Sequence, residues 1–330
     1  MANQHGQNFW HSLGQQPWLH VLGMGMASVL LYSVGFTMGI FLIPLQLVHE
    51  RWGLGNLLYG AGLVLVSLFL LLEYDLARSI DADTTASLMR LTMLMPAAMV
   101  GGLVLLNSTR RKLHWTVSLG VLQVAGAVIL APLMVRFLRE GPFLEFIGLL
   151  VEGLFETGGG GQGTEDLIRF LGNAMVRTYA LGNTVMVLGG FFLGRLVSSR
   201  DYRKSWGIGF SRYQVNRVWL WIFIVSGFLG LIDLRFNPGL VFGLVVWTIL
   251  SCAGFIYGVQ GLAILWAWLI NRRGGLAPKG GLAVLVLVGM IIPGVNLVIS
   301  LGLPLLGLSE TWITYTFRVK ERKAHEGNFK

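Results

Sequence analysis

Four carboxamides sit where an apolar chain has least reason to carry them: Gln123, Asn183, Gln260 and Asn296 each lie inside a long apolar run. A carboxamide brings two N–H donors and a carbonyl acceptor. Leaving these groups unpaired away from water costs roughly 2–7 kcal/mol. Two roles follow. Either the amides tie helices together, each contributing about 0.6–2 kcal/mol, or they face a ligand. Gln260 and Asn296 are the stronger ligand candidates, because Gly258, Gly261, Pro293 and Gly294 leave backbone groups open beside them. Three ionisable residues stand at the edges of apolar runs. Asp233 and Arg235 flank the outer end of one, either as a charged vestibule or as ordinary helix-end residues. Arg195 lies about one turn inside the end of another, where a long side chain snorkels to the interface.

Other chemistries find little support. The histidines His5, His11, His20, His49, His114 and His325 are scattered, and none stands at metal-ligand spacing from another His or Cys. His49-Glu50 lacks the second His of a zinc-protease helix. Cys252 is the only cysteine, so the chain forms no internal disulfide and offers no Cys-based zinc site. The run GGGGQG (158–163) lacks the Gly-Lys-Ser/Thr of a phosphate loop and reads as a linker. There is no GxSxG elbow, and no acid, base or nucleophile is placed at depth for catalysis. The expectation is a protein that is not an enzyme, with no cofactor and no bound metal.

The elements that would position the amides are long apolar helices. The chain has 330 residues, 54% hydrophobic and 12% charged, against about 25% charged in a soluble domain. Eight apolar stretches run through it, at about 19–43, 57–73, 86–106, 115–135, 178–198, 218–234, 239–270 and 281–308. A bilayer core of about 30 Å asks for about 20 apolar residues per helix, and helices pair their own backbone groups in lipid. The fold class expected is all-α: a polytopic transmembrane helical bundle of about eight segments, a single integral membrane domain over residues 1–330. Glycine numbers 45, and small residues let helix backbones approach closely in lipid.

Around the spans lie a polar N-terminal tail (1–18), a loop LQLVHERWG after Ile43-Pro44, a basic turn at Arg110-Arg111-Lys112 and a basic C-terminal tail (309–330). No cleavable signal peptide is evident, since the first run has no basic segment before it. Asp83 is placed to cap the third span. Residues 139–177 read as an amphipathic helical insert between spans four and five. Glu145, Glu152 and Glu156 share one face there, and Thr164 caps a further helix.

The net charge of +9 resides in short loops, where it points to orientation in a membrane and not to nucleic acid. Loops 107–114, 195–217 and 271–280 are then cytoplasmic. All follow odd-numbered spans, which puts the N-terminus outside, as its lack of Lys and Arg suggests. Eight crossings would leave the C-terminus outside too, yet it carries Arg318, Lys320, Arg322 and Lys323. Two remedies exist. Either 281–308 is a re-entrant pair of half-helices turning at Pro293-Gly294, or the N-terminal half is miscounted or the tail simply breaks the rule.

The segments IPLQLV with ERWGLGN, YGVQGLAILWAWL and LGLSETWITYTFR resemble the bacterial DUF2232 family of YybS-like multi-pass membrane proteins. The resemblance covers most of the chain in layout, with Glu310, Trp312 and Arg318 in the order of the closing motif; the insert at 158–163 departs from it. In general plan the family is similar to the substrate-binding membrane subunits of energy-coupling-factor transporters. That implies a small-molecule-binding or transport-related subunit with a separate energising protein, the chain carrying no ATP-binding signature of its own. The alternative is a non-transporting scaffold or assembly partner, contacting a protein or anionic headgroups through 139–177 and the basic loop 195–217. The lipid bilayer is the one partner common to both.

Overall fold

A computed structural model of the chain describes residues 16–34, 39–78, 90, 92–109, 113–140, 162–199, 210–211, 213–236, 238–272, 295–313 and 315. The regular structure among them is helical: α1 (Pro17–Ser33), α2 (Leu42–Arg78), α3 (Leu94–Thr109), α4 (Trp115–Glu140), α5 (Gln162–Ser198), α6 (Val218–Phe236), α7 (Leu240–Arg272) and α8 (Val295–Ser309). Five of these hold segments long and apolar enough to cross a membrane: Leu42–Ala77, Trp115–Arg136, Arg177–Ser198, Val218–Phe236 and Val241–Trp268. Large apolar side chains such as Val128, Trp221, Phe228 and Leu231 point outward. A folded chain that exposes so much apolar surface is solvated by lipid. The protein is a multi-pass helical membrane protein. Two compact units divide it, Met1–Ser199 with α1 to α5 and Arg200–Lys330 with α6 to α8.

In the first unit, α2 is broken at Gly53, where φ is +83° and ψ is −176°. That conformation belongs almost exclusively to glycine. Residues 45 and 60 would lie about 22 Å apart on a straight helix. Instead, a Cβ built on Gly60 would stand 3.1 Å from Leu45 Cδ2 and 3.5 Å from Val21 Cγ1. The chain therefore folds back at Gly53 into a short arm, residues 42–52, and a long arm, residues 54–78. Pro44 falls in the first turn of the short arm, where its missing N–H costs nothing. Ile43-Pro44 thus opens a helix, where the sequence suggests the end of one, and the expected loop LQLVHERWG is helical up to Trp52.

The short arm is the core of this unit. Phe41, Leu42, Leu45, Gln46 and Val48 are fully buried. Helix α1 runs antiparallel beside it: Tyr32 meets Phe41 edge-on at 5.1 Å near one end, and His20 stacks on Trp52 at 5.2 Å near the other. Helix α5 runs beside it in the same direction, with Met186 against Gly39, Gly190 against Leu42 and Gly194 against Gln46. A side chain at Gly190 or Gly194 would collide with the arm, so these two glycines set how closely it approaches. At about 16 Å the arm covers half of a hydrocarbon core. Helices α3 and α4 close the unit, α3 against α2 and α5, α4 against α3 and α5.

Helix α5 is continuous from Gln162 to Ser198. The helix expected to start at Thr164 and the span at 178–198 are thus one element, rising about 55 Å. Residues 141–161 of the insert, with its three glutamates, and the predicted cap Asp83 lie outside the described residues.

In the second unit, α6 and α7 are joined across Pro238-Gly239, with Gly239 at φ +136°, and α7 packs on both α6 and α8. A Cβ on Gly261 would fall on the carbonyl oxygen of Leu303, and one on Gly307 on that of Tyr257. The backbones of α7 and α8 are in direct contact there. Pro293-Gly294, the expected turn of a re-entrant pair, lies outside the described residues, and α8 begins just after it.

Candidate functional site

Gln46 and Glu50 stand four residues apart on the short arm and so share one face of it. Across from them are Asn107, near the end of α3, and Arg195, near the end of α5. Gln46 Nε2 donates to Glu50 Oε1 at 3.0 Å and to Asn107 Oδ1 at 3.4 Å. Asn107 Nδ2 donates to Gln46 Oε1 at 2.8 Å and to the Leu103 carbonyl at 2.9 Å. A carboxylate only accepts, so the bond to Glu50 fixes which end of the Gln46 amide is nitrogen. Arg195 Nε pairs with Glu50 Oε1 at 3.0 Å, and its guanidinium carbon lies 5.5 Å from the centre of the Phe191 ring. Phe191 is backed by Trp115 at 6.1 Å and Phe192 at 5.4 Å.

Three helices thus bring two amides, a carboxylate and a guanidinium together. Gln46 is fully buried and Asn107 nearly so. The Glu50 and Arg195 side chains are 20% and 19% exposed, which leaves the ion pair within reach of water. Arg195, about one turn inside the end of α5, pairs there with Glu50. Ionisable side chains held inside an apolar bundle are costly and mark sites of function.

A second polar group occupies the other unit. Gln260 Nε2 donates to Glu310 Oε2 at 2.7 Å, and Gln260 Oε1 accepts the backbone N–H of Val215 at 3.0 Å. Gln214 reaches the same carboxylate at 3.5 Å. Gln260 is thereby spent on joining α7 to the residues just after α8 and just before α6. Tyr213, in that entry segment, is buried enough that its phenol is pushed well above the usual range.

Asn183 on α5 meets α4, its Nδ2 lying 2.6 Å from where a Cβ on Gly126 would stand. Neither polar atom of its side chain has a hydrogen-bond partner among the described residues. Gln123 is fully buried about one turn from Gly126 on α4, and Tyr179 OH donates to the Ala127 carbonyl at 2.6 Å. Gln123 and Asn183 thus belong to one seam. Asn296 lies in the first turn of α8, and its side chain is outside the described residues.

Asp233 is buried, at 1% exposed, and accepts the indole N–H of Trp247 at 2.9 Å across the α6–α7 contact. Gly243 makes room for it, a Cβ there standing 3.0 Å from Oδ1. Arg235 is exposed. The two therefore do not form one charged vestibule. Among the described residues no group of His, Cys, Asp and Glu could hold a metal ion. His114 Nδ1 instead faces Thr116 Oγ1 at 2.9 Å at the start of α4. Trp312 is exposed, and Arg318 lies outside the described residues.

The group around Glu50 was not among the sequence candidates. Its signal was present: Gln46 and Glu50 are one helical turn apart, which matters only if residues 42–52 form a helix. No family model, no characterised protein and no solved structure matches the chain.

Proposed function

We propose that this protein is a small-molecule-binding, transport-related membrane subunit whose site is the Gln46–Glu50–Asn107–Arg195 group. The observation that carries this reading is the short arm: a half-length helix, buried at the centre of its unit, that delivers a carboxylate and an amide to one place. Discontinuous helices recur at substrate sites in transporters. The resemblance of its segments to DUF2232 proteins supports the same reading, and an energising partner would be a separate chain. The length of α5, which exceeds a bilayer by about 25 Å, favours docking of another protein as a second reading.

The arm also bears on sidedness. Loops 107–114 and 195–217 are rich in Lys and Arg, which favours the cytoplasm of a bacterial cell for that end of the unit. Through Glu50–Arg195 and His20–Trp52, the start of α1 lies at the same end. We therefore assign the N-terminus to the cytoplasm, against the outward orientation expected from its lack of basic residues. Glu310, held with Val215 by Gln260 at the edge of a basic loop, favours the cytoplasm for the C-terminal tail as well. The fold-back at Gly53 reverses the side of the N-terminus alone.

The test of function is ligand-dependent thermal stabilisation of the full chain in detergent, screened over vitamins, amines, amino acids and metal ions. A stabilising compound is expected whose effect disappears in Gln46→Ala and Asn107→Ala. A compound that stabilises these variants as well as wild type, or no compound at all, refutes the assignment.

A further inference from the structure

Hydrogen-bond capacity around Glu50 is unevenly spent. Both N–H groups of the Gln46 amide are used, on Glu50 Oε1 and Asn107 Oδ1. Both of Asn107 are used, on Gln46 Oε1 and the Leu103 carbonyl. The two amides have no donor left to offer. Acceptors remain. Each amide oxygen takes one bond and has a second lone pair. Glu50 takes its hydrogen bond from Gln46 and its ion pair with Arg195 on Oε1, and among the described residues no donor reaches Oε2. The carboxylate is one-fifth exposed, so Oε2 is open to a molecule arriving at the end of the unit.

What already sits on that carboxylate is a cation. The Arg195 guanidinium pairs with Oε1 and lies over the Phe191 ring, with Trp115 and Phe192 behind it. A carboxylate beside an aromatic face is the combination that holds an ammonium ion, by charge on one side and ring quadrupole on the other. An anionic ligand would be repelled by Glu50 and drawn only to Arg195, whose charge Glu50 already balances.

Resting on the reading of this group as a ligand site, we propose that its ligand is a small organic cation with N–H donors, such as a primary ammonium, bound by the Glu50 carboxylate in competition with Arg195. Arg195 is the tethered occupant that a ligand displaces, so it sets the affinity. Glu50 is the residue that binds.

Two probes of matched shape and opposite charge decide the class. The full chain in detergent is titrated with n-butylammonium chloride and with sodium butyrate at constant ionic strength, reading Tm. Butylammonium is expected to raise Tm and butyrate to leave it unchanged. Arg195→Ala removes the competing cation and is expected to tighten butylammonium by about tenfold; Arg195→Gln, which keeps more of the packing, is expected to do the same. Glu50→Gln is expected to abolish the response. Stabilisation by butyrate, or a butylammonium response surviving in Glu50→Gln, overturns the cation assignment while leaving a ligand site in place. No response to either probe in wild type and in both Arg195 variants overturns the cation assignment; if the wider screen is also blank, the binding function falls with it.

Discussion

Replacing Gly53 with alanine isolates the energy of the fold-back. The position has φ +83° and ψ −176°, and nothing stands within 4 Å of a Cβ built there. The added methyl therefore meets no neighbour, and its whole cost is backbone conformation, about 1–3 kcal/mol for a side chain held in a glycine-only region. Gly55, two residues on, provides the control. A Cβ placed on it also meets open space, but its φ is not positive. Inside a helix, Gly→Ala is worth about 0.5–1 kcal/mol in favour of alanine. The same chemical change is thus expected to act with opposite sign at two positions two residues apart. Equilibrium unfolding of the purified variants in mixed micelles reads the difference, expected at about 1.5–4 kcal/mol between them. If Gly53→Ala unfolds with Gly55→Ala, within about 0.5 kcal/mol, the chain does not turn back at Gly53, and the central arm is lost with it.

Reporters sensitive to compartment, fused before Met1 and after Lys330, are both expected to read cytoplasmic; an external signal from the first would remove the sidedness drawn from the His20–Trp52 stack. A double-mutant cycle on Gln46→Leu and Asn107→Leu is expected to show coupling of about 1–2 kcal/mol. Either single change strands a buried amide and the double change strands none, so strict additivity would mean that the two amides do not pair.

Hydropathy and charge carried the sequence reading a long way. Helices α4, α6 and α7 lie where apolar runs predict them, because a lipid-facing helix announces itself by composition alone. What failed is the stretch around Gln46, Glu50 and Arg51. Its polar side chains look like those of a loop, since a window of neighbours cannot see Asn107 or Arg195, sixty and more residues away. Pro44 misled in the same direction, because proline closes a helix and opens one with equal ease. Gly53 was hidden by abundance: among 45 glycines, nothing in the sequence marks the one that turns the chain. Asp233 looked interfacial from its place near a helix end, while its burial depends on Trp247, on the neighbouring helix. The amides at Gln123, Asn183 and Gln260 were visible as candidates. Gln260 proves to be spent within its own unit, but its partner Glu310 was legible only as part of a motif.

The contact between Gly261 and Gly307 leaves a mark on how this stretch of chain can change over time. No other amino acid fits at either place without prying the two rods apart. Every substitution there is a loss, while the oily outward rungs of α8, Val298, Leu301 and Leu305, are free to wander among similar residues. Sequence variation across this segment should therefore trace two fixed points on a tolerant background, a silhouette of where one helix lies on the other.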